Sequence, residues 1–252
     1  MASYLIEHRF QGKFKTEIKQ LIIDLDNKFN LGLFQPNTPI PHISLVGPFT
    51  TNNEARLIQN FTEVCKSTPF CRFKINGFGY FKDNRVVYVD INPAGEKLKE
   101  FRWNLVQKLK PNCELKKIDL DWDFVYHGTL AKKLNHQEFK DVKNYIERQT
   151  PPKIQQFLIR ATIIKNNKIL CEYDFLQRRL LNRTEALDKN VEAVTWKLLK
   201  DFFEGRYAPN NNISSRTPEN IHRTPKKTPR PLKTDNSGMI NKMKQFLSKI
   251  FD

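Results

Sequence analysis

Two short segments of the chain carry one pattern. They are Pro41-His42-Ile43-Ser44-Leu45 and Tyr126-His127-Gly128-Thr129-Leu130. In each, a histidine stands two residues before a hydroxyl residue, among apolar residues that suit a strand. Side chains two apart on a strand point to the same face. His42 therefore projects with Ser44, and His127 with Thr129. If the two strands lie side by side, two imidazoles and two hydroxyls converge. Such a group is a metal-free acid–base pair with two hydrogen-bond donors for a phosphoryl oxygen. The plainer alternative is a pair of ordinary strand histidines bonded to backbone.

The rest of the chain fits an α+β fold. Strands are expected from Met1 to Arg9, His42 to Val46 (stopped by Gly47-Pro48), Phe70 to Phe81, Arg85 to Ile91 and His127 to Leu130. A hairpin is expected from Gln156–Ile164 and Lys168–Phe175 around Asn166-Asn167. Helices are expected from Phe14 to Phe29, Asn53 to Cys65, Glu96 to Lys110, His136 to Gln149 and Asn182 to Phe203. Each half holds strand–helix–strand units and one histidine segment. We therefore expect a bilobal molecule. Two pseudo-symmetric antiparallel-sheet and helix lobes would face a central cleft, where ligands often bind, followed by a C-terminal helical extension.

The divisions expected are a bilobal domain over 1–180, an added helix over 181–204, a disordered basic Pro-rich linker over 205–236 and an amphipathic helix over 237–252. The linker is polar, with five prolines between Tyr207 and Asn236 and three Thr-Pro steps. In the final segment Met239, Ile240, Met243, Phe246, Leu247, Ile250 and Phe251 share one helical face. That face could dock on its own domain, contact another protein, or lie on a membrane surface.

The formal net charge is +16, which favours polyanionic partners. Cys65, Cys71, Cys113 and Cys171 have neither zinc-site nor disulfide-framework spacing. Reduced thiols in a cytoplasmic protein are expected. No run approaches the ~20 apolar residues of a membrane span, and Met1–Phe10 lacks the apolar run of a signal peptide. Asp119, Asp121 and Asp123 alternate before the second histidine segment. They could hold a divalent ion or form a solvated acidic turn. No phosphate-binding glycine loop is present.

With these residues in view, the chain resembles the 2H phosphoesterases, which include the 2′-5′ RNA ligases and RNA 2′,3′-cyclic phosphodiesterases. The resemblance covers about residues 1–180. It rests on the two histidine segments, and more weakly on Gly77-Phe78-Gly79-Tyr80-Phe81, Arg85-Val86-Val87-Tyr88 and Glu172-Tyr173-Asp174. It departs from the family at Tyr126, where proline is usual, at Gly128, where isoleucine is usual, and at Lys132, where arginine often stands. The resemblance implies a bilobal fold and catalysis by His42, His127, Ser44 and Thr129. It also implies opening of a 2′,3′-cyclic phosphate to a 2′-phosphate, and reverse 2′-5′ RNA ligation. Lys132 and Arg85 are candidate phosphate contacts. Tyr80, Phe81 and Tyr126 are candidate stacking surfaces for a base. A monomer acting on RNA or a nucleotide with a 2′,3′-cyclic phosphate is expected, without cofactor or metal. The alternatives are an enzyme acting on a small cyclic nucleotide-like phosphate and a non-catalytic RNA-end binding protein.

Overall fold

A computed structural model describes residues 2–33, 40–93 and 96–209. The linker from 210 onward and the amphipathic C-terminal segment lie outside the described residues, as do parts of two loops. Two antiparallel sheets organise the molecule. The first has five strands in the order β2 (His42–Thr50), β1 (Ser3–Arg9), β7 (Arg160–Lys165), β8 (Lys168–Asp174), β9 (Arg179–Asn182). The second has four, in the order β5 (His127–Ala131), β4 (Val86–Asn92), β3 (Arg72–Phe81), β6 (Lys153–Phe157). Among the described residues, six α-helices accompany them: α1 (Gly12–Phe29), α2 (Glu54–Ser67), α3 (Lys97–Leu109), α4 (His136–Ile146), α5 (Arg183–Leu187) and α6 (Lys189–Phe203).

Each histidine strand lies at the edge of its sheet, and the two edges adjoin. The approach is close at Gly128. A Cβ built there would stand 2.6 Å from the buried Phe10 ring and 3.6 Å from the His42 carbonyl oxygen. The isoleucine usual at this position of the family would therefore not fit against Phe10 as the ring stands. Glycine at 128 is what the packing of β5 against Phe10 and β2 requires.

One apolar core runs through both lobes. Phe14, Ile18, Ile22 and Leu25 form the buried stripe of α1, as their helical spacing implies. Leu98, Phe101, Leu105, Val106 and Leu109 do the same for α3, which packs on β2 and β3 and so touches both sheets. His8 is also interior. Its Nδ1 donates to the Arg160 carbonyl at 2.8 Å, its ring meets Phe73 edge-on, and burial pushes its pKa down to about 4.

Three sequence expectations are corrected here. First, β2 runs on through Gly47-Pro48 to Thr50. The pairing with β1 shifts between Ile6↔Val46 and Tyr4↔Phe49, so the extra residues are absorbed as a bulge. The Gly47 N–H goes to the Asp119 carboxylate at 3.0 Å.

Second, the run from Gln156 to Ile164 is not one hairpin arm. It splits into β6, paired with β3, and β7, paired with β1. The chain crosses from one sheet to the other at Leu158 and Ile159. Both crossing residues are buried, so no polar punctuation marks the change. Third, Asn182–Phe203 is not one helix. Asp188 is extended and caps α6 by accepting from Asn190 and Val191.

α6 is bound to the first sheet by a buried polar cluster. Arg160, with a side chain 5% exposed, donates Nε to Asp174 (2.9 Å), Nη1 to Glu172 (2.9 Å) and Nη2 to the Thr195 hydroxyl on α6 (2.7 Å). Thr162 donates to the other Glu172 oxygen at 2.6 Å. Removing one partner from such a group leaves buried charge without compensation. Arg160→Met should therefore cost about 3–5 kcal/mol in denaturant unfolding. Gly128→Ala, which overpacks against Phe10, should cost about 1–3 kcal/mol by the same measurement.

Candidate active site

His42, Ser44, His127 and Thr129 alternate with the buried residues Ile43, Leu45, Gly128 and Leu130, and all four are part-exposed. The strand period thus puts each histidine and its hydroxyl on one face. The two rings are held in the same way. His42 Nδ1 lies 2.8 Å from the Ile40 carbonyl, and His127 Nδ1 lies 2.9 Å from the Val125 carbonyl. A carbonyl oxygen only accepts, so Nδ1 carries the hydrogen in both rings. Nε2 of each ring is then the nitrogen available for chemistry. The backbone bond of the plainer reading and a reactive imidazole are therefore compatible.

The surroundings of the two rings differ. Phe81 stands edge-on to His127 at 5.0 Å, Tyr88 lies at 5.3 Å, and the two aromatic rings meet at 4.4 Å. Burial pushes the His127 pKa below its ordinary value. The Val125 carbonyl opposes that shift, and charge on His42 adds to it. On the other side, His42 Nδ1 lies 3.6 Å from the Glu7 carboxylate.

Tyr88 pairs with Thr129 on one side and with Gly79 on the other. A Cβ at Gly79 would sit 2.3 Å from the Tyr88 ring. The bare glycine is what lets that ring lie across the sheet toward Phe81 and His127. Burial raises the Tyr88 pKa, and Asp90 adds to the shift.

Among the other sequence candidates, Phe81 is brought to the histidines. Tyr80 turns the other way. Its ring meets Phe139 on α4 at 6.4 Å and lies beneath the Lys143 ammonium at 5.5 Å. Tyr126 is 2% exposed, packs on Phe124, and donates to the Leu98 carbonyl at 3.4 Å. That environment is core. Arg85 occupies the left-handed position of the β3–β4 turn and donates Nε to the Leu134 carbonyl at 2.7 Å. It ties that turn to the chain after β5. Lys132 is exposed just beyond the end of β5.

The three aspartates are neither a shared cluster nor a solvated turn throughout. Asp119 is buried and accepts from Gly47 on β2 and from Lys116. Asp121 caps the Asp123 N–H, and Asp123 pairs with Lys99 at 3.6 Å. Among the described residues, no three His, Cys, Asp or Glu side chains are grouped to hold a metal ion.

Four contributors are not among the residues that the sequence motifs single out. Glu7 and Arg9 lie opposite Ser44 and His42 in the β1–β2 register. Tyr88 lines the His127 side. Arg102 is buried on α3 and donates to the carbonyls of Asp119 and Asp121, both at 2.8 Å. It thereby anchors the loop that feeds β5. Alternation around Glu7 is visible in the sequence, but which strand pairs with β1 is not.

No curated protein sequence matches the chain. Among solved structures, E. coli LigT complexed with 3′-AMP is 15% identical, with TM-score 0.43, over 71% of this chain and 91% of that one. A structure described as a phosphoesterase is 16% identical, with TM-score 0.41, over 72% and 93%. TT0787 of Thermus thermophilus is 10% identical, with TM-score 0.42, over 68% and 97%. The family model of the 2′-5′ RNA ligase superfamily matches residues 27–161, more than half of the chain and the stretch holding both histidine segments. The chain belongs to the 2′-5′ RNA ligase superfamily, the 2H phosphoesterases.

Proposed function

We propose that this protein opens RNA 2′,3′-cyclic phosphates to 2′-phosphates, with 2′-5′ ligation as the companion reaction when a ribose hydroxyl replaces water. The observation that supports it is the matched pair of imidazoles on adjoining edge strands. Each has Nδ1 tied to the carbonyl two residues upstream and a hydroxyl two residues downstream on the same face. Binding an RNA end does not require two such rings. Moving a proton on each side of a phosphorus does.

In this reading His127 is the base. Burial favours its neutral form, so its Nε2 takes a proton from water as the water oxygen attacks phosphorus. The bond from phosphorus to O3′ breaks. His42, beside the Glu7 carboxylate, gives its Nε2 proton to that oxygen. Ser44 and Thr129 donate to the non-bridging oxygens as charge builds there. Proton exchange with water then restores both rings. When a ribose 5′-hydroxyl attacks phosphorus in place of water, His127 takes its proton, the bond to O3′ breaks with a proton from His42, and a 2′-5′ linkage forms. Phe81 and Tyr88 offer an aromatic wall beside His127 for a base or ribose. Lys132, exposed just beyond β5, is the phosphate contact of this reading, and the +16 balance suits a polyanionic substrate.

The test is turnover of a short RNA ending in a 2′,3′-cyclic phosphate, with EDTA present. The parent should yield a 2′-phosphate. His42→Ala and His127→Ala should each lower kcat at least about 100-fold, the low end for general acid–base groups. Full activity in either variant would sink the mechanism. The pH profile of kcat/KM should be bell-shaped. Its acid limb reports the base, so it should fall below the ordinary imidazole value of about 6.5. Activity should therefore persist under mildly acidic conditions and fail only as His127 is protonated.

A further inference from the structure

The two histidine segments repeat one geometry, yet acid and base need opposite protonation states. Something beyond the segments must separate them. On β1, Glu7 stands opposite Ser44 of β2 and opposite Thr162 of β7, which puts its side chain on the face that carries His42 and Ser44. That side chain is 5% exposed. A carboxylate so placed needs partners of opposite charge or hydrogen-bond donors. Arg9 Nε donates to Oε1 at 2.8 Å, and Oε2 lies 3.6 Å from His42 Nδ1.

The charged groups around this pair come from several strands. Arg9 is the cross-strand neighbour of His42 and repels a charged ring there. On β7 and β8, Arg160 is paired with both Glu172 and Asp174, so that cluster keeps one negative charge but holds it on its own guanidinium and on the Thr162 and Thr195 hydroxyls. Across the cleft stands His127 on β5, with Asp90 opposite it on β4. Among the described residues, Glu7 is the carboxylate that lies within 4 Å of the His42 ring nitrogen. It both neutralises Arg9 and faces the edge of the ring that bears the Nδ1 hydrogen.

We propose that Glu7 is a positioning residue that holds His42 as the protonated partner of the pair, with Nε2 directed to substrate, and so fixes which histidine gives the proton. The inference rests on the phosphodiesterase reading for its catalytic meaning, but not for the Glu7–His42 interaction itself. Burial of His127 against Phe81 and Tyr88 works in the complementary sense.

Two variants with opposite expected effects test it. Glu7→Gln keeps the shape and removes the charge, leaving Arg9 uncompensated beside His42. The alkaline limb of the kcat/KM profile, which reports the acid, should move to lower pH by about one unit, a roughly tenfold loss above the limb. Its acid limb should stay in place. Arg9→Gln removes the repelling charge and should move the alkaline limb the other way.

An activity-independent readout is nitrogen-15 NMR of the His42 ring at neutral pH. The imidazolium share should fall in Glu7→Gln and rise in Arg9→Gln. Limbs and ring signals unchanged in both folded variants would overturn the proposal. Ring signals that shift as expected in a protein with no turnover of the cyclic phosphate would support the Glu7 contact and overturn the substrate reading instead.

Discussion

The molecule depends on the meeting of two sheet edges. An edge strand offers unpaired backbone groups and is ordinarily covered or blunted. Here β2 and β5, each the last strand of its own sheet, adjoin each other, and the contact is close because residue 128 has no side chain. Phe10 fills the space that a Cβ would need. The cleft floor is therefore made from the ends of two sheets rather than from the face of one. Two similar motifs can then sit on either side of a single reacting atom.

Around that contact, ionic and aromatic groups do different work. The Arg160 cluster fastens α6 to the first sheet, while Phe157, Ile159, Leu176 and Leu199 form a second apolar cluster with Trp196, Phe202 and Phe203. Arg102 fixes the loop before β5 through backbone carbonyls and lies with its guanidinium carbon 3.9 Å above the Phe124 ring. Near the histidines the balance differs. One ring has a carboxylate at its edge and the other has aromatic faces. Identical backbone tethers thus hold two rings in unlike electrostatic surroundings.

Much of this was legible in the sequence, and the misses have physical causes. Period-two alternation located His42 with Ser44 and His127 with Thr129, because that rule is local to a strand. The helical stripe of α1 was readable for the same reason. The crossing between β6 and β7 was not, since a buried apolar run looks the same whichever sheet it enters. Tyr80 and Tyr126 were grouped with Phe81 by residue type. Facing separates them: alternation sends Tyr80 to α4 and Tyr126 into the core, while Phe81 points to His127. Glu7 required knowledge of which strand lies beside β1, and that is a tertiary fact. Asp119 looked like part of an acidic surface and instead spends its charge on backbone N–H groups.

The bond from Asp119 to the Gly47 N–H has a mechanical consequence. It joins the loop that leads into one histidine strand to the backbone of the other. Arg102 on α3 bonds the Asp119 and Asp121 carbonyls, so the same loop is fastened at two points. A displacement of that loop would pull on both histidine strands together. The separation between the two rings should fluctuate less than either lobe does against solvent. A group held between them would then meet a gap of steady width.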